Sequence, residues 1–158
     1  MTDNVQLYLA LSDNQERSRI EDLLVLAGFD ASTFSSPSSL WEHFQTRPTR
    51  LVIVDHTFAD GTSGLDVVRK IRALHLQPYV YILVRSTVER LTEIEDALAA
   101  GANDCLVAFN LHDSFQIRSR ILVGLQWLAF LDSHSAKPPA ADPRLTAPAR
   151  VLEPATSP

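Results

Sequence analysis

Five short apolar runs, each followed by a stretch with helical spacing, restrict this chain more than any other feature. The runs are "VQLYLAL" (5–11), "DASTF" (30–34), "RLVIVD" (50–55), "YVYILV" (79–84) and "DCLVAF" (104–109). Between them lie segments whose apolar residues recur every three to four positions: Ile20, Leu23, Leu24 and Ala27, then Leu40, Trp41 and Phe44, then Leu65, Val68 and Ile71, then Leu91, Ile94 and Leu98. Such spacing predicts helices. The first of these ends at Gly28, and the second starts near a proline. A last helix is expected over 113–131, with Asp113 and Gln116 placed as a capping box. The third and fourth runs are almost continuously apolar, as strands buried on both faces are. Strict strand–helix alternation argues for a parallel sheet with right-handed crossovers and helices on both faces, a doubly wound α/β sandwich.

Composition narrows the class. A chain of 158 residues with 46% apolar and 21% charged residues can bury one sound core. The net charge of -5 provides no broad basic surface, so nucleic acid is not an expected partner of this domain. Cys105 is the only cysteine, which rules out an intrachain disulfide and any cysteine-based zinc site. No apolar stretch approaches the ~20 residues of a membrane span, and no secretory signal pattern opens the chain. A cytoplasmic location is the expectation. Six of the nine prolines fall in "SHSAKPPAADPRLTAPARVLEPATSP". The expected organisation is therefore a domain over 1–132 and a Pro/Ala-rich disordered tail or interdomain linker over 133–158.

In doubly wound sheets, ligands bind beyond the carboxyl ends of the strands. Asp55 lies at such an end, directly after "LVIV" and before "HTFADGTSG". A carboxylate there costs free energy unless it is paired or solvated. It is therefore either a chemical group or a cap for the following loop. Ser12 and Asp13 follow the first strand, and Ser86 and Thr87 follow the fourth. Asp13 has two readings: a second acid for a cation, or the N-cap of the first helix with Glu16 three residues on. The "ADGTSG" glycines match no nucleotide-cradling fingerprint. The five histidines show no metal-ligand spacing, and Cys105 reads as a small core residue.

With those residues in view, the chain resembles the receiver domain of bacterial response regulators across nearly all of residues 4–132. "LVIVDHTFADGTSGLDVVRKIRA" is similar to the family's phosphoacceptor strand, loop and third helix. "PYVYILVRST" is similar to its fourth strand with the switch hydroxyl, and "ALAAGANDCLV" to the fourth helix and fifth strand. "IRSRILVGLQWL" resembles the last helix of receivers that precede diguanylate cyclase domains. The resemblance implies a flavodoxin-like five-stranded parallel sheet in the order 2-1-3-4-5. It also implies phosphorelay signalling without enzymatic activity, with a sensor histidine kinase or another signalling protein as partner. Asp55 falls on the phosphoacceptor position and Ser86 or Thr87 on the switch hydroxyl.

Two parts of that family's machinery are altered here. Its Mg²⁺ is held by an acidic pair after the first strand together with the acceptor aspartate. In this chain the pair positions fall on Leu11 and Ser12, with Asp13 one residue late, so Asp13 and Asp55 would form a weak site or none. The family's lysine would fall near Ala108, yet Lys70 and Lys137 are the only lysines. Arg85 is the nearest substitute, and its planar fork does not reproduce a compact ammonium. Two functions stay open: a phosphoacceptor on Asp55 with an eroded Mg²⁺ and lysine site, and a phosphorylation-independent pseudo-receiver acting through protein contacts. The last helix carries more apolar surface than one side needs. Ile121, Leu125, Trp127 and Leu128 are the expected interface residues, and a homodimer through the fourth and fifth helices is the expected assembly.

Overall fold

The strand assignments rest on burial that only a central parallel sheet can supply. In the computed structural model, which describes residues 4–108 and 113–135, every residue of "LVIVD" and of "YILVRS" is buried. The elements run β1 (Gln6–Ala10), α1 (Asn14–Leu26), β2 (Asp30–Phe34), α2 (Pro37–Thr46), β3 (Leu51–Asp55), α3 (Leu65–Ala73), β4 (Tyr81–Ser86), α4 (Leu91–Ala100), β5 (Asp104–Val107) and α5 (Asp113–His134). All strands are parallel, in the order β2-β1-β3-β4-β5. The expected fold class is the one found.

Because side chains alternate faces along a strand, the sheet sorts its residues into two cores. Tyr8, Val52, Val54, Ile82 and Val84 pack with Leu40 and Phe44 of α2, Val68 and Ile71 of α3, and Ala97 of α4. Leu7, Leu9, Ile53, Leu83 and Leu106 pack with Ile20 and Leu24 of α1 and Ile117, Ile121 and Leu128 of α5. Asp55 and Arg85 fall in phase with Ile53 and Leu83, on the α1/α5 side. Ser86 is out of phase with them.

Several sequence expectations shift. The fourth strand starts at Tyr81 rather than Tyr79 and runs through Ser86, so Arg85 is a strand residue. In α4 the buried residues are Ala97 and Ala100, whereas Leu91 and Leu98 are 69% and 48% exposed. Helical phase marks the leucines as one apolar stripe; the residues buried against the sheet are the small alanines. Helix α5 continues to His134, past the expected boundary at 132. The tail over 136–158, the capping side chain of Asp113 and residues 109–112 lie outside the described residues. Among the described residues, no helix is long and apolar enough to cross a membrane.

Candidate functional site

The carboxyl edge of the sheet opens into a cleft of about 580 Å³ lined by residues from the ends of β1, β3 and β4 and the first turns of α1 and α4. Asp55 sits at its floor, 2% exposed. Three donors engage its two oxygens: Arg85 Nε donates to Oδ1 at 2.6 Å, while Arg85 Nη2 and the Ser12 N–H donate to Oδ2 at 3.2 and 2.8 Å. The Arg85 side chain is 1% exposed. The sheet register places Asp55 directly beside Arg85, so two residues 30 apart in sequence meet as cross-strand neighbours on one face. The remaining guanidinium nitrogen, Nη1, lies 2.8 Å from Glu16 Oε2, off the ideal N–H direction.

The electrostatics follow from burial and pairing. Burial pushes the Asp55 carboxyl above its ordinary value, while the hydrogen bonds and charge of Arg85 and the Ser12 N–H pull against it. Burial likewise works against the charge of Arg85, and Asp55 with Glu16 outweighs it, so the guanidinium is held above its usual value. Arginine does not deprotonate in proteins. The pair is ionic.

Local structure explains how the edge is shaped. Asp13 caps α1, its Oδ1 accepting from Glu16 N–H at 2.8 Å. Its carboxylate thus serves the helix and makes no contact with Asp55 among the described interactions. The N-capping reading of Asp13 holds, and Asp13 and Asp55 line the same cleft without touching each other. After β3 the chain doubles back: Thr57 and Ser63 form an antiparallel bridge, and Gly61 takes φ +84 in the turn. Asp60 holds that turn through the Thr62 N–H and hydroxyl, which keeps its carboxyl below the ordinary value. Gly64 lets the returning chain lie against β3, since a Cβ there would stand 1.8 Å from the Asp55 carbonyl oxygen. Ser12 Oγ accepts from Ala59 N–H at 2.8 Å and ties this loop to β1.

Ser86 is buried beyond Arg85, and its hydroxyl donates to the Glu93 carboxylate of α4 while accepting from Val88 N–H at 3.2 Å. Alternation along β4 turns it to the face opposite Asp55 and Arg85. Thr87 is exposed and lines the cleft. His56 lines it too, with Nδ1 3.9 Å from Glu93 Oε2. Among the described residues, no three of His, Cys, Asp and Glu gather as a metal-holding group. The residue that sequence reasoning underweighted is Arg85. Its signal was available in the parallel pairing of "LVIVD" with "YILVR", which sets the final residues abreast.

Of the four expected interface residues, Ile121, Leu125 and Leu128 need correction. Ile121 and Leu128 are 1% and 4% exposed, inside the α1/α5 core, and Leu125 packs against that core. Trp127 stands edge-on to Tyr79 and Tyr81, with ring centroids 4.8 and 6.2 Å away. These residues attach α5 to its own sheet. The apolar residues α5 turns to solvent are Phe115, Leu122, Val123 and Phe130, together with the still exposed part of Trp127.

Comparison with known proteins agrees with this architecture. No curated protein matches the sequence. The signal receiver domain of a Luxo repressor protein from Vibrio parahaemolyticus superimposes with a TM-score of 0.72 at 14% identity, covering 84% of this chain and 98% of that one. The chemotaxis protein CheY4 of Vibrio cholerae gives 0.65 at 16% identity, covering 74% and 97%. NtrX from Brucella abortus, solved in complex with ADP, gives 0.70 at 18% identity, covering 84% of this chain and 29% of that one. At these identities the structural likeness speaks for the fold. Family membership comes from the sequence model for the response regulator receiver domain, which matches residues 12–108. More than half of the chain is spanned by that match, and the chain belongs to the response regulator receiver domain family.

Proposed function

We propose that this receiver domain works in two-component signalling through protein contacts alone, with Asp55 kept as a structural anion instead of a phosphoryl acceptor. The observation that carries the reading is the ion pair of Asp55 and Arg85, which occupies both carboxylate oxygens inside the sheet edge. Transfer of a phosphoryl group to a carboxylate depends on positioning and on neutralising the anions brought together. Receiver domains typically bind Mg²⁺ for this purpose, and Mg²⁺ demands octahedral oxygen ligands. The acids here do not fit that ion: Asp13 is committed to a helix cap, and Glu16 and Asp55 face a guanidinium. No lysine exists between Lys70 and Lys137 to meet phosphoryl oxygens. The hydroxyl at the switch position is held by Glu93.

On this reading the domain is non-enzymatic and cytoplasmic, and its partners are a sensor histidine kinase or another signalling protein. A second copy is one such partner. Leu91 and Leu98 of α4, with Leu122 and Val123 of α5, are the exposed apolar residues that support a homodimer through those helices. Sedimentation of wild type against Leu98→Asp and Leu122→Asp checks this: a monomer at all concentrations in wild type removes the dimer.

The deciding experiment is incubation of the full chain with Mg²⁺ and acetyl phosphate, then with beryllofluoride, read by intact mass and amide NMR. No adduct and unmoved Asp55 and Ser86 amides are expected. A phosphoryl adduct that disappears in Asp55→Asn would restore the phosphoacceptor reading.

A further inference from the structure

A carboxylate buried at a strand end needs a positive charge beside it, and this fold draws that charge from the adjacent strand. The three guanidinium nitrogens of Arg85 divide their work: Nε and Nη2 meet Asp55, and Nη1 meets Glu16. One side chain thereby connects β3, β4 and the first turn of α1. We propose that Arg85 is the cation of this site: a tethered counter-ion that takes the place of a divalent ion, making position 85 the residue that decides whether the edge takes such an ion. This rests on the preceding reading of Asp55 as a structural anion and names how that anion is balanced.

The chemistry is competitive. A divalent ion would need the oxygens of Asp55 that Arg85 and Ser12 already fill, and it would stand within a few ångströms of a buried positive charge. A guanidinium supplies directional donors in a fixed plane, so it neutralises Asp55 and fixes its orientation at once. Removing it leaves Asp55 and Glu16 facing one void at the base of an open cleft, two acids with no cation between them. Hard oxygen donors of this kind favour Mg²⁺ or Mn²⁺. Arg85→Lys retains a positive charge there and should stay indifferent to added metal.

The test is thermal unfolding and amide NMR of the full chain with Mg²⁺ or Mn²⁺, against sodium chloride at matched ionic strength. Wild type, Arg85→Ser, Arg85→Lys and the double variant Arg85→Ser/Glu16→Gln are compared. Wild type and Arg85→Lys should not respond. Arg85→Ser should gain roughly 3–6 °C at tenfold excess of metal over its dissociation constant, and the double variant should lose most of that gain. Should Arg85→Ser be unfolded without metal, recovery of its circular dichroism by Mg²⁺ but not by sodium chloride supports the assignment. Metal binding at Asp55 in wild type overturns it, as does an Arg85→Ser protein that is unchanged, folded or unfolded, by millimolar Mg²⁺. The two readings fail separately. Asp55-dependent phosphorylation of wild type sinks the proposed function, whereas metal indifference of Arg85→Ser sinks only the role given to Arg85.

Discussion

A buried ion pair is weak evidence for stability but strong evidence about what its loss will do. Deleting one partner leaves the other uncompensated, at a cost of about 3–5 kcal/mol. Arg85→Ala should therefore lower the urea midpoint sharply. Converting both partners to apolar residues, Asp55→Leu with Arg85→Met, should recover most of that loss. An Arg85→Ala protein as stable as wild type would show that Asp55 is solvated, and the pairing would not be its support. The thiol of Cys105 makes a second residue-level prediction. Burial, with Asp104 and Glu93 nearby, pushes it up to about 11. A raised value keeps the reactive thiolate scarce at neutral pH. Iodoacetamide labelling should climb about tenfold per pH unit past the ~8.5 at which an ordinary thiol levels off; a plateau near that pH would contradict the burial. Sequence reasoning placed Asp55 at a strand end and held the helix cap as one of two readings of Asp13, because strand ends and N-caps are local patterns. Which residue stands beside Asp55 is set by register between strands far apart in sequence. Arg85 was accordingly weighed as a poor lysine instead of as a neighbour.

Among the elements, the loop between β3 and α3 is where a small change should be felt most. Gly64 N–H donates to the His56 carbonyl at 2.9 Å, and the backbone of Asp55 lies directly against Gly64. An added Cβ meets backbone, which cannot swing aside as a side chain can. Gly64→Ala should cost about 1–3 kcal/mol or more through the forced backbone shift, with moved amides at Asp55 and His56. A melting temperature equal to wild type would mean the loop has room that its geometry denies. The alternation of elements was legible because periods of 2 and 3.6 are written locally. The orientation of α4 was not. Leu91, Ile94 and Leu98 share a helical stripe, but Ala97 and Ala100 lie closest to the sheet. Periodicity ranks residues by apolarity, whereas close packing selected the small ones.

At the scale of the molecule, α5 decides which surface is interior. Its sequence is apolar on two opposite sides, so phase alone cannot say which side meets the sheet. Ile117, Ile121 and Leu128 fill the core shared with α1, while Phe115, Leu122, Val123 and Phe130 face solvent. Two further contacts accompany this orientation. Gly124 lies close against the Tyr81 ring, where a Cβ would come within 2.7 Å. Near the helix end, Arg50 pairs with Asp132 through Nη1 and Nη2 at 2.6 and 2.9 Å. That pair is exposed and contributes little by itself, so the orientation depends on the buried side chains. Leu128→Ala should then cost about 2–5 kcal/mol, as deletion of a buried leucine does. Phe130→Ala, two residues on and 56% exposed, should change stability by about 0.5 kcal/mol or less. Denaturation at low protein concentration keeps association out of the comparison. Were the order reversed, with Phe130 the costly residue, α5 would be turned on its axis, and the core assigned to its Ile117, Ile121 and Leu128 side would be wrong.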